Sequence, residues 1–257
     1  MGIVNGLLSL PVSIILVWWL VKIKKEPRFE VKDIVRMLIF GALSCVLASA
    51  LSLVIMIWSA LNLIGLDTIK EMVAHPENAQ AIVDQIKANS DTGFSLARVI
   101  RNSMLLIALP EEGFRFLFLQ LAVRKRACVR SWMDMVLCGG IVGTGFTIVE
   151  DWMYSSGGLG VTIMRSLMPF HFMLGAIMGY FIGQSRYTGN FLYLIPSIAV
   201  PVLLHAVYDG AINALTSHDE YVYLALAMMA VMLAVTVLMI VLINKWRKNG
   251  KLDLEMQ

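Results

Sequence analysis

Apolar residues in this chain run in long blocks, and most of the charged residues fall at the block ends. Seven blocks, at about 3–21, 37–65, 99–123, 132–154, 166–184, 190–213 and 221–243, are long enough to cross a hydrocarbon core as helices. The pattern predicts an all-α, polytopic membrane helix bundle of about seven transmembrane helices, forming a single integral membrane domain over residues 1–257. The first block lacks a basic leader and a small-residue cleavage site, and lysines follow it, so it reads as a retained span rather than a signal peptide. Composition agrees. Hydrophobic residues make up 58% of the chain and charged residues 15%, too little charge to coat a soluble surface.

The connecting segments differ in charge, and the difference orients the bundle. One set carries Lys22, Lys24, Lys25, Arg28, Lys32 and Arg36, then Arg124, Lys125, Arg126 and Arg130, then Arg186, then Lys245, Arg247, Lys248 and Lys251. The other set has Lys70, Lys87, Arg98, Arg101 and Arg165. The positive-inside rule makes the first set cytoplasmic, with the N-terminus outside, the C-terminus inside and the protein a multi-pass component of the cell membrane. The formal net charge of +3 then reflects topology, and no basic patch is arranged for nucleic acid. Cys45 and Cys138 fall in spans and Cys128 in a cytoplasmic loop, which indicates neither a disulfide framework nor a thiolate metal site.

The segment 66–97 is the one sizeable stretch expected outside the membrane. Ile69, Met72 and Val73, then Ala79, Ile82, Val83 and Ile86, recur at helical spacing on an acidic background, with a break at Pro76. This predicts an amphipathic element on the outer face, either lying on the leaflet or serving as a lid. The core expected to carry the chemistry is 98–215.

That core contains charges where a membrane span should have none. Glu111, Glu112 and Arg115 stand in the middle of the third block, where each ionisable group costs about 2.5–3.5 kcal/mol to insert unless it pairs or faces a polar cavity. Glu150, His171, His205 and Asp209 follow on later blocks. Counting helix rise from the cytoplasmic ends puts Glu112 roughly 18 Å up, His171 and His205 about 20–22 Å, and Glu150 and Asp209 about 27–28 Å. All five fall in the outer half of the bilayer. Arg115 lies four residues from Glu111 and three from Glu112, so it can reach either; His205 and Asp209 share a face. Gly175, Gly179 and Gly183 allow a neighbouring helix to approach closely.

The runs Glu111-Glu112-Gly-Phe-Arg115, Phe146-Thr-Ile-Val-Glu150, His171-Phe-Met-Leu-Gly175 and His205-Ala-Val-Tyr-Asp209 resemble, in order and spacing, the four motifs of the PrsW family of intramembrane proteases, which belongs with the CAAX-processing and bacteriocin-immunity proteases. The resemblance covers about residues 100–215. Two positions depart from it: Arg115 replaces the usual lysine, and Asp151 follows Glu150 where asparagine is usual. The resemblance implies cleavage of a single-pass membrane protein near its extracytoplasmic side, as in site-1 cleavage of an anti-sigma factor during envelope stress.

Peptide hydrolysis needs an activated water, a brace for the oxyanion and a proton for the leaving amine. Glu111 or Glu112 is expected as general base, assisted by Glu150, with Arg115 balancing the charge. His205 and Asp209 are expected to hold the carbonyl, and His171 to act as second donor or shuttle. No cofactor is required by this scheme. The metal alternative is zinc on His171, His205 and Glu150, although no H-E-x-x-H run is present. Ser155-Ser156 lies in an outer loop and is no buried nucleophile, and Tyr208-Asp209 lacks the G-x-G-D partner of aspartyl intramembrane proteases. A proton-coupled carrier, or a non-catalytic scaffold or immunity protein, would also bury acids and histidines. Neither broken-helix pairs nor an internal repeat supports a carrier.

Overall fold

In the computed structural model, which describes residues 2–25, 27–78, 80–82, 84 and 95–248, the apolar blocks are helices. These are α1 Gly2–Ile23, α2 Val31–Ile64, α3 Leu66–Ala74, α4 Leu96–Ser103, α5 Leu109–Val123, α6 Trp132–Met153, α7 Leu159–Leu167, α8 Phe170–Thr188, α9 Leu194–Ser217 and α10 Val222–Lys248. Among the described residues, six helical stretches are long and apolar enough to cross a membrane: Ile3–Ile23, Val31–Ser59, Trp132–Gly157, Leu159–Thr188, Phe191–Thr216 and Asp219–Arg247. The protein is therefore an all-α, multi-pass membrane protein. Ile3, Leu7, Trp58, Leu203 and Val241 are exposed large apolar side chains on its outside, as lipid contact requires.

The block expected at 99–123 is helical but interrupted. Between α4 and α5 the backbone swells into a π-helical turn over Met104–Ala108. Pro110 explains it: proline lacks an N–H and its ring pushes against the carbonyl four residues back, so the upstream turn widens. The block expected at 166–184 is also divided. α7 ends at Leu167, Pro169 breaks the ladder, and α8 restarts at Phe170, which puts His171 in the first turn of a new helix. The pattern of the 66–97 segment is realised as α3 and a 3-10 turn starting at Pro76, while residues 79, 83 and 85–94 lie outside the described set.

α6 is the axis of the bundle, buried along most of its length. α1, α2 and α8 pack on it directly. The α6–α8 contact is backbone against backbone: a Cβ at Gly139 would collide with the carbonyl of Gly175, and one at Gly143 with the carbonyl of His171. Small residues at such crossings replace the hydrophobic drive that lipid does not provide with close van der Waals packing. The consequence is positional. Gly143 lets the His171 backbone come against α6, which fixes where that imidazole starts.

At the end of the bundle bearing the basic loops, charges tie the helices together. Lys24 pairs with Asp134 at 3.0 Å, both side chains nearly buried. Asp134 also accepts from the backbone N–H groups of Arg130 and Ser131, closing a capping box at the start of α6. Arg36 donates to the carbonyls of Leu121 and Ala122 in the last turn of α5, where helix carbonyls run out of intrahelical donors. Arg126 bonds Asp33 and Arg186 bonds Gln120.

Candidate active site

The polar residues of α5, α6, α8 and α9 meet inside the bundle. Glu112 and Arg115, one helical turn apart, are both fully shielded from solvent. The Arg115 Nη1 donates to both carboxylate oxygens of Glu112 at 2.5 Å. Of the two glutamates within its reach, Arg115 takes Glu112. The guanidinium lies 4.1 Å above the Phe146 ring, so α6 supplies an aromatic floor that an arginine can stack on.

Arg115 also reaches α8, where its Nη2 contacts the Nδ1 of His171 at 2.8 Å. A guanidinium only donates, so Nδ1 must accept and the proton of a neutral His171 stands on Nε2. That nitrogen points at the Oε2 of Glu150, 2.5 Å away. The chain Glu112–Arg115–His171–Glu150 thus crosses from α5 through α8 to α6, and one residue fixes the tautomer of the next.

His205 is held from the other side. Its Nδ1 lies 2.9 Å from Glu112 Oε1 and its Nε2 lies 3.2 Å from Asp209 Oδ2, one turn along α9. Since Glu112 is ion-paired with Arg115, His205 Nδ1 is the donor in that bond. The Nε2 also faces Glu111 Oε2 at 3.8 Å, beyond hydrogen-bonding range. Phe170 separates the two imidazoles from the outer end, packing edge-on to both.

Glu111 is the exception in this network. Its Oε2 is buried and has no hydrogen-bond partner; among the described residues the other buried side-chain atoms in that condition are Ser52 Oγ, Arg115 Nε and Asp151 Oδ2. Leaving a buried polar atom unpaired costs about 1–3 kcal/mol. Ligand atoms of Glu111, His171 and His205 all lie within 4.8 Å of one another. A triangle of that size keeps each corner within hydrogen-bonding reach of a single small species at its centre.

This donor set, one carboxylate and two imidazoles with an unpartnered oxygen aimed inward, fits a divalent cation of the zinc type. The acid grouped with both imidazoles is Glu111; Glu150, expected in that role, is bound to His171 and to Arg165 Nη2 at 2.8 Å. To ligate through Nε2, His171 must first give up the proton it directs at Glu150.

Beside this triangle is a cavity of about 30 Å³, walled by Glu150, Arg165, His171, His205, Tyr208 and Asp209. That is room for one water among several polar partners, and too little for a peptide.

All seven residues singled out from the sequence are in this cluster. Arg165 was missed, having been assigned to the loop charges. It bridges Glu150 and Asp151, at 2.8 and 3.1 Å, and covers the Tyr154 ring at 4.3 Å. It also explains the departure at Asp151, which here has a cation to pair with. The available signal was its isolation: a single basic residue between two motifs, on a segment short of other charge.

A family model described as "PrsW family intramembrane metalloprotease" matches residues 34–240. Relatives named Protease PrsW include one from Bacillus subtilis (strain 168), 30% identical over 125 residues that cover 46% of this chain and 57% of the relative. Another, from Shouchella clausii (strain KSM-K16), is 33% identical over 129 residues, covering 48% and 59%. A third, from Clostridioides difficile (strain 630), is 30% identical over 135 residues, covering 48% and 56%. The chain spans a little over half the length of the curated relatives it matches. No solved structure matches it.

Proposed function

The chain belongs to the PrsW family, and from that premise we propose that it is an intramembrane endopeptidase whose water is activated by Glu111. The observation that carries the reading is the buried triangle of Glu111, His171 and His205, delivered by three helices, with an unpartnered carboxylate oxygen, Glu111 Oε2, at its corner. Glu112 cannot serve equally well, because both its oxygens are committed to Arg115 and one also to His205. It is better read as the group that orients His205.

In this scheme Glu111 Oε2 accepts a proton from water while the water oxygen attacks the scissile carbonyl carbon. The carbonyl oxygen, now an oxyanion, accepts a hydrogen bond from the Nε2–H of His171, which turns to it from Glu150 and keeps its proton. Glu112 and Asp209 hold His205 in place beside the water. As the C–N bond breaks, Glu111 returns its proton to the leaving amine, and the products are a new amine and a new carboxylic acid that keeps the second proton of the water until it is released. If zinc is held, Glu111, His171 and His205 would hold it, and the ion would supply Lewis acidity and a more acidic bound water.

The substrate in this reading is a single-pass membrane protein, the class that the family resemblance implies for a site buried among the helices of a membrane bundle. Cleavage falls on the extracytoplasmic side, opposite the basic loops. An anti-sigma factor is the instance the family resemblance implies. The test is hydrolysis of single-pass peptides by the purified chain in bilayers. Cleavage lost in Glu111→Gln and His205→Ala variants that keep their helicity and melting point supports the reading. Solute flux without cleavage would instead support a carrier.

A further inference from the structure

The cavity of about 30 Å³ shares His171 and His205 with the triangle, and its volume suits a single water-sized oxygen. An oxygen placed there meets whatever donors the wall has free. Most of the wall is committed or can only accept. Thr147 Oγ1 donates to the carbonyl of Gly143. Arg165 is taken by Glu150 and Asp151, and His205 by Glu112 and Asp209. Ionised carboxylates only accept. Two side-chain donors are left: the Nε2–H of His171, once it turns from Glu150, and the phenol of Tyr208.

Tyr208 takes no part in the peptidase scheme as described so far. It follows His205 by three residues, so α9 presents both to the same side. Phe170 packs against both rings, with its centroid 5.2 Å from His205 and 4.7 Å from Tyr208, which fixes one relative to the other. The side chain is half-buried, and Arg165, Asp209 and Glu150 act electrostatically on its phenol. Among the described residues that phenol has no hydrogen-bond partner. A tyrosine in such a setting ordinarily finds one, and phenylalanine would pack the same space without the need.

We infer, resting on the peptidase reading, that this cavity receives the scissile carbonyl oxygen and that the Tyr208 phenol is its second donor, beside His171. The reacting carbon then sits between the water on the Glu111 side and its own oxygen on the Tyr208 side, with the two imidazoles bordering both. As that oxygen gains negative charge the phenol hydrogen bond strengthens, and the phenol keeps its proton throughout. Arg165 and the imidazoles offset the charges of Glu150 and Asp209, so the oxyanion does not face bare carboxylates.

The test is Tyr208→Phe, which removes one partnerless oxygen and keeps the ring. With the full chain in bilayers and a single-pass peptide, kcat should fall by about 10²–10³-fold while KM stays within about twofold of the wild type. The same loss is expected on a substrate with an ester at the scissile bond, because an oxyanion forms from either. The melting point should match the wild type. A kcat within about threefold of the wild type overturns the donor. So does a loss confined to the amide, which would make the phenol a proton donor to the leaving group. A lowered melting point also overturns it, because the hydroxyl would then serve the fold. Wild type and Glu111→Gln in the same preparation separate this inference from the reading beneath it. No cleavage by the wild type defeats both, whereas wild-type cleavage that needs Glu111 and is unchanged in Tyr208→Phe defeats the donor alone.

Discussion

Two regions of this bundle bury charge, and they do so in opposite ways. At the basic end, Lys24, Asp134, Arg36, Arg126 and Arg186 each have partners, and Asp134 is bonded by a lysine and two backbone N–H groups at once. In the polar centre, Glu111 Oε2, Arg115 Nε and Asp151 Oδ2 go without partners, and a small cavity is lined by Asp151, His171 and His205. A fully satisfied network holds helices in place. One left incomplete, at a cost in stability, keeps a group ready to act on something else. Ion pairs within lipid are therefore not one class, and the difference can be measured.

The largest effect expected is on catalysis. Glu111→Gln keeps the size of the side chain, and cleavage should fall by about 10²–10⁴-fold while the thermal midpoint moves little. The basic end should respond in reverse. Lys24→Met leaves the Asp134 carboxylate without its counter-ion and should destabilise by about 3–5 kcal/mol, read as a lowered melting point, with cleavage per folded molecule retained. If both variants lost stability and activity together, the two regions would be doing the same job.

Gly143→Ala probes how packing feeds the site. The new methyl meets the carbonyl of His171, and relief by a backbone shift should cost about 1–3 kcal/mol and reduce cleavage more than an alanine elsewhere on α6 would. A milder result is expected at the mouth. Arg165→Gln frees Glu150 and Asp151 from their shared cation, and turnover should fall about tenfold with the helical content unchanged. The smallest effect is at the basic end again. Burial pushes the Cys128 thiol up to about 11, so it stays protonated at neutral pH. Maleimide labelling at pH 7 should be slow and should leave cleavage intact.

Much of this was legible in the sequence because lipid makes charge conspicuous. Glu111, Glu112 and Arg115 within an apolar block, and histidines at the same depth on later blocks, could be read with no coordinates. The glycines of α8 were legible for the same reason, since backbone contact needs missing side chains. What spacing could not reveal was pairing. Arg115 is within reach of both glutamates, and only the rotation of α5 against α8 and α9 selects Glu112 and leaves Glu111 unpaired. Span continuity was misjudged at Pro169 because a block average does not register one missing N–H. Arg165 was hidden by its label as a loop charge, since its acid partners lie 14 and 15 positions back in the chain.

The central claim is that the unpaired Glu111 carboxylate activates water against a peptide bond within the membrane. Its most direct test compares the ectodomains shed by cells making the wild-type chain, Glu111→Gln and Lys24→Met at matched amounts of folded protein. The account predicts that a defined set of single-pass proteins loses its ectodomains with the wild type and Lys24→Met, and keeps them with Glu111→Gln. Equal shedding by wild type and Glu111→Gln would contradict it.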